Sequence, residues 1–144
     1  MPQTKFRFLD HKADAYVAAY GKTMEEAFEN AALATFEVMT DTSRVGSTLE
    51  EIVEVEGFDK KALFYNWLET LLVKFDIAGN LYTKFNIEKI RRTSTGFKLK
   101  ARIYGEKFDA KKHLPRVGVK AVTYHRMEIV EKKHQTVVKF ILDI

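Results

Sequence analysis

At 144 residues, with 46% hydrophobic and 12% aromatic side chains, the chain is long and apolar enough for one globular domain, which excludes a disordered chain. With no cysteine it excludes disulfides and thiolate metal sites and suits a cytoplasmic protein; no apolar run approaches the ~20 residues that span a bilayer, and MPQTKFRFLD does not read as a signal peptide. The net charge of +4 is divided unequally: residues 1–83 hold 8 Lys and Arg against 14 Asp and Glu, and residues 84–144 hold 16 against 6. Such a split marks either a face for nucleic acid or an acidic partner, or strands whose outward side is Lys-rich and solvated.

In chain order, Phe6, Phe8 and Leu9 predict a short strand before the bend DHKAD, Asp10 to Asp14. Tyr16 to Tyr20 predict a second strand, closed by Gly21. In TMEE, Thr23 can cap a helix and Glu26 sits three residues on, the spacing of a capping box. Met24, Ala27, Phe28, Ala31, Leu33, Phe36 and Met39 then follow a helical stripe. EEIVEVEG reads as a strand ending at Gly57, and Asp59 as the cap of a second helix. There Leu63, Phe64, Trp67, Leu68, Leu71, Leu72 and Phe75 recur at helical spacing until AGN, residues 78–80, and read as core. FNIEKI (85–90) and FKLKARIYG (97–105) form a hairpin round TSTG, with Lys98, Lys100 and Arg102 opposite Leu99, Ala101 and Ile103. VKAVTYHRMEIVE and TVVKFILDI form a second hairpin round KKHQ. No linker or repeat divides residues 1–144, so the expectation is a single α+β domain. It is a two-layer sandwich with two main helices on one face of a mostly antiparallel or mixed sheet, whose other face carries the basic stripe.

No phosphate-binding loop, dinucleotide fingerprint, nucleophile elbow or HExxH is present. DHKAD is open to three readings: half an active site, half a metal site, or a solvated turn. Glu106, Asp109 and His113 fall at i, i+3 and i+7, so on a helix they would share a face and could serve a metal or a partner. Just before Leu114-Pro115, the simpler reading is a solvated charged turn. His134 reads as a surface residue, and His125 as either a half-buried histidine with its needs met within the fold or a ligand. At the chain's end, Asp143 and the α-carboxylate of Ile144 lie one residue apart, and like charges so close repel. A hard cation with oxygen ligands, calcium or magnesium, would resolve that repulsion. If the last strand neighbours the first, Asp14 can join them. A fraying terminus is the alternative, although the apolar run TVVKFIL would then be wasted.

DHKAD, GKTMEEAFENAA, FYNWLETLL and GEKFDAKKH with VKAVTYH resemble the archease family, in the family's order and over nearly the whole chain. The first motif usually reads DHTAD there; Lys12 replaces the Thr and is expected to point away from a bound cation. The resemblance implies a cytoplasmic accessory protein, not a stand-alone enzyme. Its implied role is to activate the GTP-dependent RNA-splicing ligase of tRNA splicing, promoting guanylylation and multiple turnover. The alternative is a tRNA-binding chaperone that modulates a tRNA cytosine methyltransferase; a metal-dependent hydrolase is a third reading. It further implies a divalent cation, calcium or magnesium, on Asp14, Asp143 and Ile144. Asp10, His11, Glu106, Asp109, His113, Lys120 and His125 become candidates for partner contact or for support of that site, gathered near the same end. The ligase, a methyltransferase and tRNA are the implied partners, with no membrane contact and the oligomeric state open.

Overall fold

The computed structural model describes residues 4–9 and 14–144. Its elements are β1 (Phe6–Leu9), β2 (Asp14–Gly21), α1 (Met24–Met39), a short 3-10 turn (Thr42–Arg44), β3 (Leu49–Gly57), α2 (Lys60–Ala78), β4 (Asn80–Thr93), β5 (Gly96–Lys107), β6 (Ala121–Glu131) and β7 (Thr136–Asp143). The α+β class is as expected, with a refinement. The strands divide into two antiparallel sheets, ordered β1-β2-β7-β6 and β3-β5-β4.

Each helix starts where its cap dictates. Thr23 accepts the Glu26 N–H at 3.2 Å, and Glu26 reaches back to the Lys22 N–H at 3.0 Å, one residue earlier than a standard capping box. Asp59 accepts the Ala62 N–H at 2.7 Å at the head of α2. The far end of α2 closes on Gly79, left-handed at φ 70°, whose N–H bonds the Phe75 carbonyl.

The helices tie the sheets together. α1 lies on β2, β4 and β7, and α2 on β3, β5 and β6. Their contact is an aromatic chain: Phe140 of β7 meets Phe64 of α2, which meets Phe28 of α1 at 4.9 Å. Trp67, fully buried, donates its indole N–H to the Phe28 carbonyl at 3.0 Å and packs on Phe85 of β4. The apolar stripe predicted for α2 is this core; Leu63, Phe64, Leu68 and Leu71 are likewise sealed from water.

β4 is longer than its predicted six residues, because irregularities at Tyr82/Lys84 and Ile87/Lys89 break the alternation that would reveal a strand. On the outer face of β5 the cations stand against carboxylates. Lys98 lies 3.8 Å from Glu54 of β3, and Arg102 lies 3.7 Å from Glu50 of β3 and 2.8 Å from Glu88 of β4. Two of the three cations of the stripe, Lys98 and Arg102, are therefore matched within their own sheet. Among the described residues, no helix is long and apolar enough to cross a membrane.

A Cβ at Gly79 would find open space, so only the backbone resists substitution there. Gly79→Ala should lower unfolding stability by about 1 kcal/mol, and Gly79→Asn by less, since Asn tolerates the left-handed region. Urea midpoints of the two variants check this.

Candidate metal centre

The sheet register places two carboxylates together. β2 begins at Asp14 and pairs antiparallel with β7 so that Asp14 stands directly opposite Asp143. On the other side of β7, Ala121 of β6 faces Asp143, and the Lys120 N–H donates to the Asp143 carbonyl at 2.7 Å. Leu142 is fully buried and Ile144 packs its side chain on the core, so the last residues are held in place. The neighbour of β7 is the second strand; β1 lies beyond β2.

Residues directly opposed on antiparallel strands carry their Cβ atoms about 4.5–5.5 Å apart on one face, and like charges there repel. Asp143 is exposed and Asp14 half-buried, so both are within reach of a solvated ion. Among the described residues the expected set, Asp14, Asp143 and Ile144, offers oxygen donors, which suit calcium or magnesium. Among the described residues, no three His, Cys, Asp or Glu side chains gather into a metal-holding group. This candidate set has two such side chains and leans on the chain's terminal carboxylate for the third. Asp10, His11 and Lys12 lie outside the described residues, and with them the expected orientation of Lys12.

A second constellation forms round Glu106. No helix covers Glu106 to His113; β5 ends at Lys107 and a turn follows. The turn is solvated at residues 107–112, as the simpler reading expected, but His113 is buried at 1% exposure. The turn folds back so that His113 Nε2 meets Glu106 Oε1 at 2.7 Å, while the Asp109 N–H donates to His113 Nδ1 at 2.9 Å. An Nδ1 that accepts carries no proton, so the proton resides on Nε2 and the imidazole is neutral, an assignment made from its partners. Both ring nitrogens are thus engaged, which removes His113 as a metal ligand.

Glu106 also accepts the Gly46 N–H at 2.8 Å and lies 2.7 Å from Lys112 Nζ. A Cβ at Gly46 would come within 2.8 Å of Glu106 Oε2, so a larger residue there would push the carboxylate aside. Chiefly through Lys112, then Gly46 and His113, the Glu106 carboxyl is pulled down to about 2. Beyond it, the Arg116 and Val117 N–H groups bond the carbonyls of Met39 and Val38 at 2.9 and 3.2 Å. The path from Glu106 to Lys120 is therefore pinned along its length, and Lys120, exposed, arrives beside Asp143. Gly46 lies 60 residues from Glu106, so no local sequence signal could announce this contact.

His125 does not join either group, and it is exposed instead of half-buried. It sits in an excursion of β6: between the pairs Thr123–Ile141 and Glu128–Lys139, four residues face one. Arg126 has φ 58°, a conformation rare for such a side chain. Tyr124 lies flat on Tyr65 of α2, centroids 4.4 Å apart and planes 1° from parallel. A signal for this was present: Val122 and Met127 both face inward, and a spacing of five cannot arise on a regular strand.

An α+β protein of two antiparallel sheets, with an acidic sheet end closed by the last strand, is the class that fold and site define. The sequence matches the archease protein family (MTH1598/TM1083) over residues 6–144, and the chain belongs to that family. It is similar to the protein archease of Sulfurisphaera tokodaii, 44% identical over 97% of this chain and 99% of that one. The protein archease of Sulfolobus acidocaldarius is 45% identical over 98% and 99%. Among solved structures, protein 1598 of Methanobacterium thermoautotrophicum superposes with a TM-score of 0.85 at 44% identity, over 97% of this chain and 99% of that one. An archease from Thermotoga maritima, described as a possible chaperone, shares the fold at a TM-score of 0.63 and 18% identity, over 100% and 98%.

Glu106 carries a testable pH dependence. Its carboxyl is lowered in the folded chain from an ordinary 4.5 to about 2, so the stability it confers is whole above about pH 4.5 and is lost as pH falls toward 2. Glu106→Gln should therefore cost about 1.5–3 kcal/mol near neutral pH, the range for hydrogen bonds to a charged group. The gap between variant and parent should close by about pH 2. Urea unfolding across that pH range measures it.

Proposed function

We propose that this archease is a non-enzymatic accessory protein that activates a GTP-dependent RNA ligase of tRNA splicing, promoting its guanylylation and multiple turnover through a divalent-cation-loaded acidic tip. The observation that carries the reading is the register of β2 and β7, which sets Asp14 opposite Asp143 at the sheet end where the chain finishes. Asp14, Asp143 and the Ile144 carboxylate would hold calcium or magnesium. Once bound, such an ion supplies positive charge that can organise phosphate or carboxylate oxygens at a partner's surface.

An accessory protein changes a ligase's behaviour only by binding one of its conformations better than another. The residues described above suit that task by being held still. Asp143 is fixed between β2 and β6, and Lys120 is delivered to the same end by the pinned segment after Glu106. There Lys120 would meet an anionic group of the ligase or its nucleotide. The alternative, a tRNA-binding chaperone for a methyltransferase working through the basic strand face, is weakened where that face is matched by Glu50, Glu54 and Glu88.

Two measurements test the proposal. In a ligase guanylylation assay, Asp14→Ala and Asp143→Ala should each reduce stimulation on the order of tenfold or more, since even supporting groups at metal sites typically cost that much. Full stimulation by the folded variants would sink the role of the tip. In thermal unfolding without ligase, calcium or magnesium at a hundred times its Kd should stabilise the chain by about 2.7 kcal/mol, an increment that EDTA removes and Asp143→Asn abolishes.

A further inference from the structure

We infer that the recess between the β4–β5 turn, the head of α2 and the β6 excursion is a stacking site for an unpaired nucleobase and its phosphate, carried by single-stranded RNA or by a free nucleotide. It is built from groups remote in sequence from the acidic tip and does not depend on the reading of that tip.

The recess has a volume of about 400 Å³ and is lined by Phe58, Phe97 and Tyr124 together with Asn66, Thr93 and Thr95. That is the size range of small-ligand sites. Phe58, between β3 and α2, is 77% exposed, and Tyr124 is 51% exposed although Tyr65 backs its ring. Single exposed aromatics are common on surfaces; here two, Phe58 and Tyr124, line one concavity whose floor includes the half-buried Phe97. Every base has a π-face, so aromatic platforms take bases with little regard to sequence.

Charge selects among planar ligands. Lys60 stands over the Phe97 ring, 5.9 Å from its centre, and Arg92 at 5.5 Å, so this ring is covered by cations and the faces left to stack a base are those of Phe58 and Tyr124. The phosphate of a nucleotide would meet Arg92, since Lys60 is already paired with Glu131. The hydroxyls of Thr93 and Thr95 and the amide of Asn66 offer hydrogen bonds to a base edge. Asn66 Nδ2 is spent on the Glu56 carbonyl at 2.8 Å, which leaves its oxygen to accept. Acidic groups share the neighbourhood: Glu56 lines the recess, Asp59 caps α2, Glu131 pairs with Lys60, and Asp59 and Glu69 help raise the Tyr124 hydroxyl, behind its burial and Tyr65. Affinity must therefore come mainly from stacking, with a shallow salt dependence.

The β6 excursion turns the same way. A regular strand at VTYHRM would place alternate side chains into the core; the three surplus residues and the left-handed Arg126 instead leave Tyr124, His125 and Arg126 exposed. Conformations of that kind persist where the surroundings enforce them, and they gather at functional sites.

Fluorescence anisotropy with short labelled oligouridylate and oligoadenylate, and a parallel titration with AMP and GMP, test the site in the intact chain. Phe58→Ala, at a solvent-facing position that should leave the fold intact by circular dichroism, is expected to weaken binding about tenfold or more in whichever arm binds, and Tyr124→Leu likewise. Tyr124→Phe, which keeps the ring, should stay within about twofold of the parent. Binding in EDTA should be unchanged, which separates this site from the acidic tip. Binding of strands alone assigns the base to RNA; binding of AMP or GMP as well assigns it to a nucleotide. Absence of binding in both arms, equal binding by Phe58→Ala, or equal competition by a duplex of the same sequence would overturn the inference.

Discussion

The pairing of β7 between β2 and β6 is the constraint on which the rest of the molecule depends. β7 is the last strand in sequence but an inner strand of its sheet, bonded on both edges. Its inward side chains, Val138, Phe140 and Leu142, are sealed from water, and Phe140 begins the aromatic chain that runs through Phe64 to Phe28. Because side chains alternate strictly along a strand, a slip of one residue would turn Phe140 and Leu142 outward. The hydrophobic register of the core and the alignment of Asp14 with Asp143 are therefore the same fact. The core thereby enforces the acidic pair.

The two ends of β6 serve different purposes. Near Ala121 it follows β7 faithfully and delivers Lys120 to Asp143; past Thr123 it departs from the ladder and turns Tyr124 onto Tyr65. The Glu106 constellation belongs with the first. It is remote in sequence from the acidic tip, yet it sets the path by which the chain arrives there. Its imidazole, bonded on both sides, works as a buried strut.

Much of the fold was legible in the sequence. Thr23 and Asp59 cap the helices they announce, the stripe from Leu63 to Leu72 is core, and the KKHQ turn joins β6 to β7. What escaped was non-local or irregular. The bulges of β4 hide a strand from any test of alternation, and the division of seven strands into two sheets depends on how α1 and α2 bridge them. Of the candidate site, the closeness of Asp143 to the chain's end was readable directly, but its alignment with Asp14 needed the register of strands more than a hundred residues apart. The spacing of Glu106, Asp109 and His113 pointed to a shared role for the wrong reason. The turn that the sequence favours over a helix brings them together, and the contribution of Gly46 is silent in sequence.

The excursion in β6 has a consequence of another kind. β6 is an outer strand of its sheet, and a straight outer strand rich in Val, Ile and Tyr offers its unpaired backbone groups as a template for a neighbouring molecule's strand. Three surplus residues and a left-handed Arg126 interrupt that template midway, and Lys and Glu side chains crowd its far end. The kink that presents Tyr124 also keeps one copy of the chain from zipping onto the next. Straightening it would be expected to trade solubility for regularity.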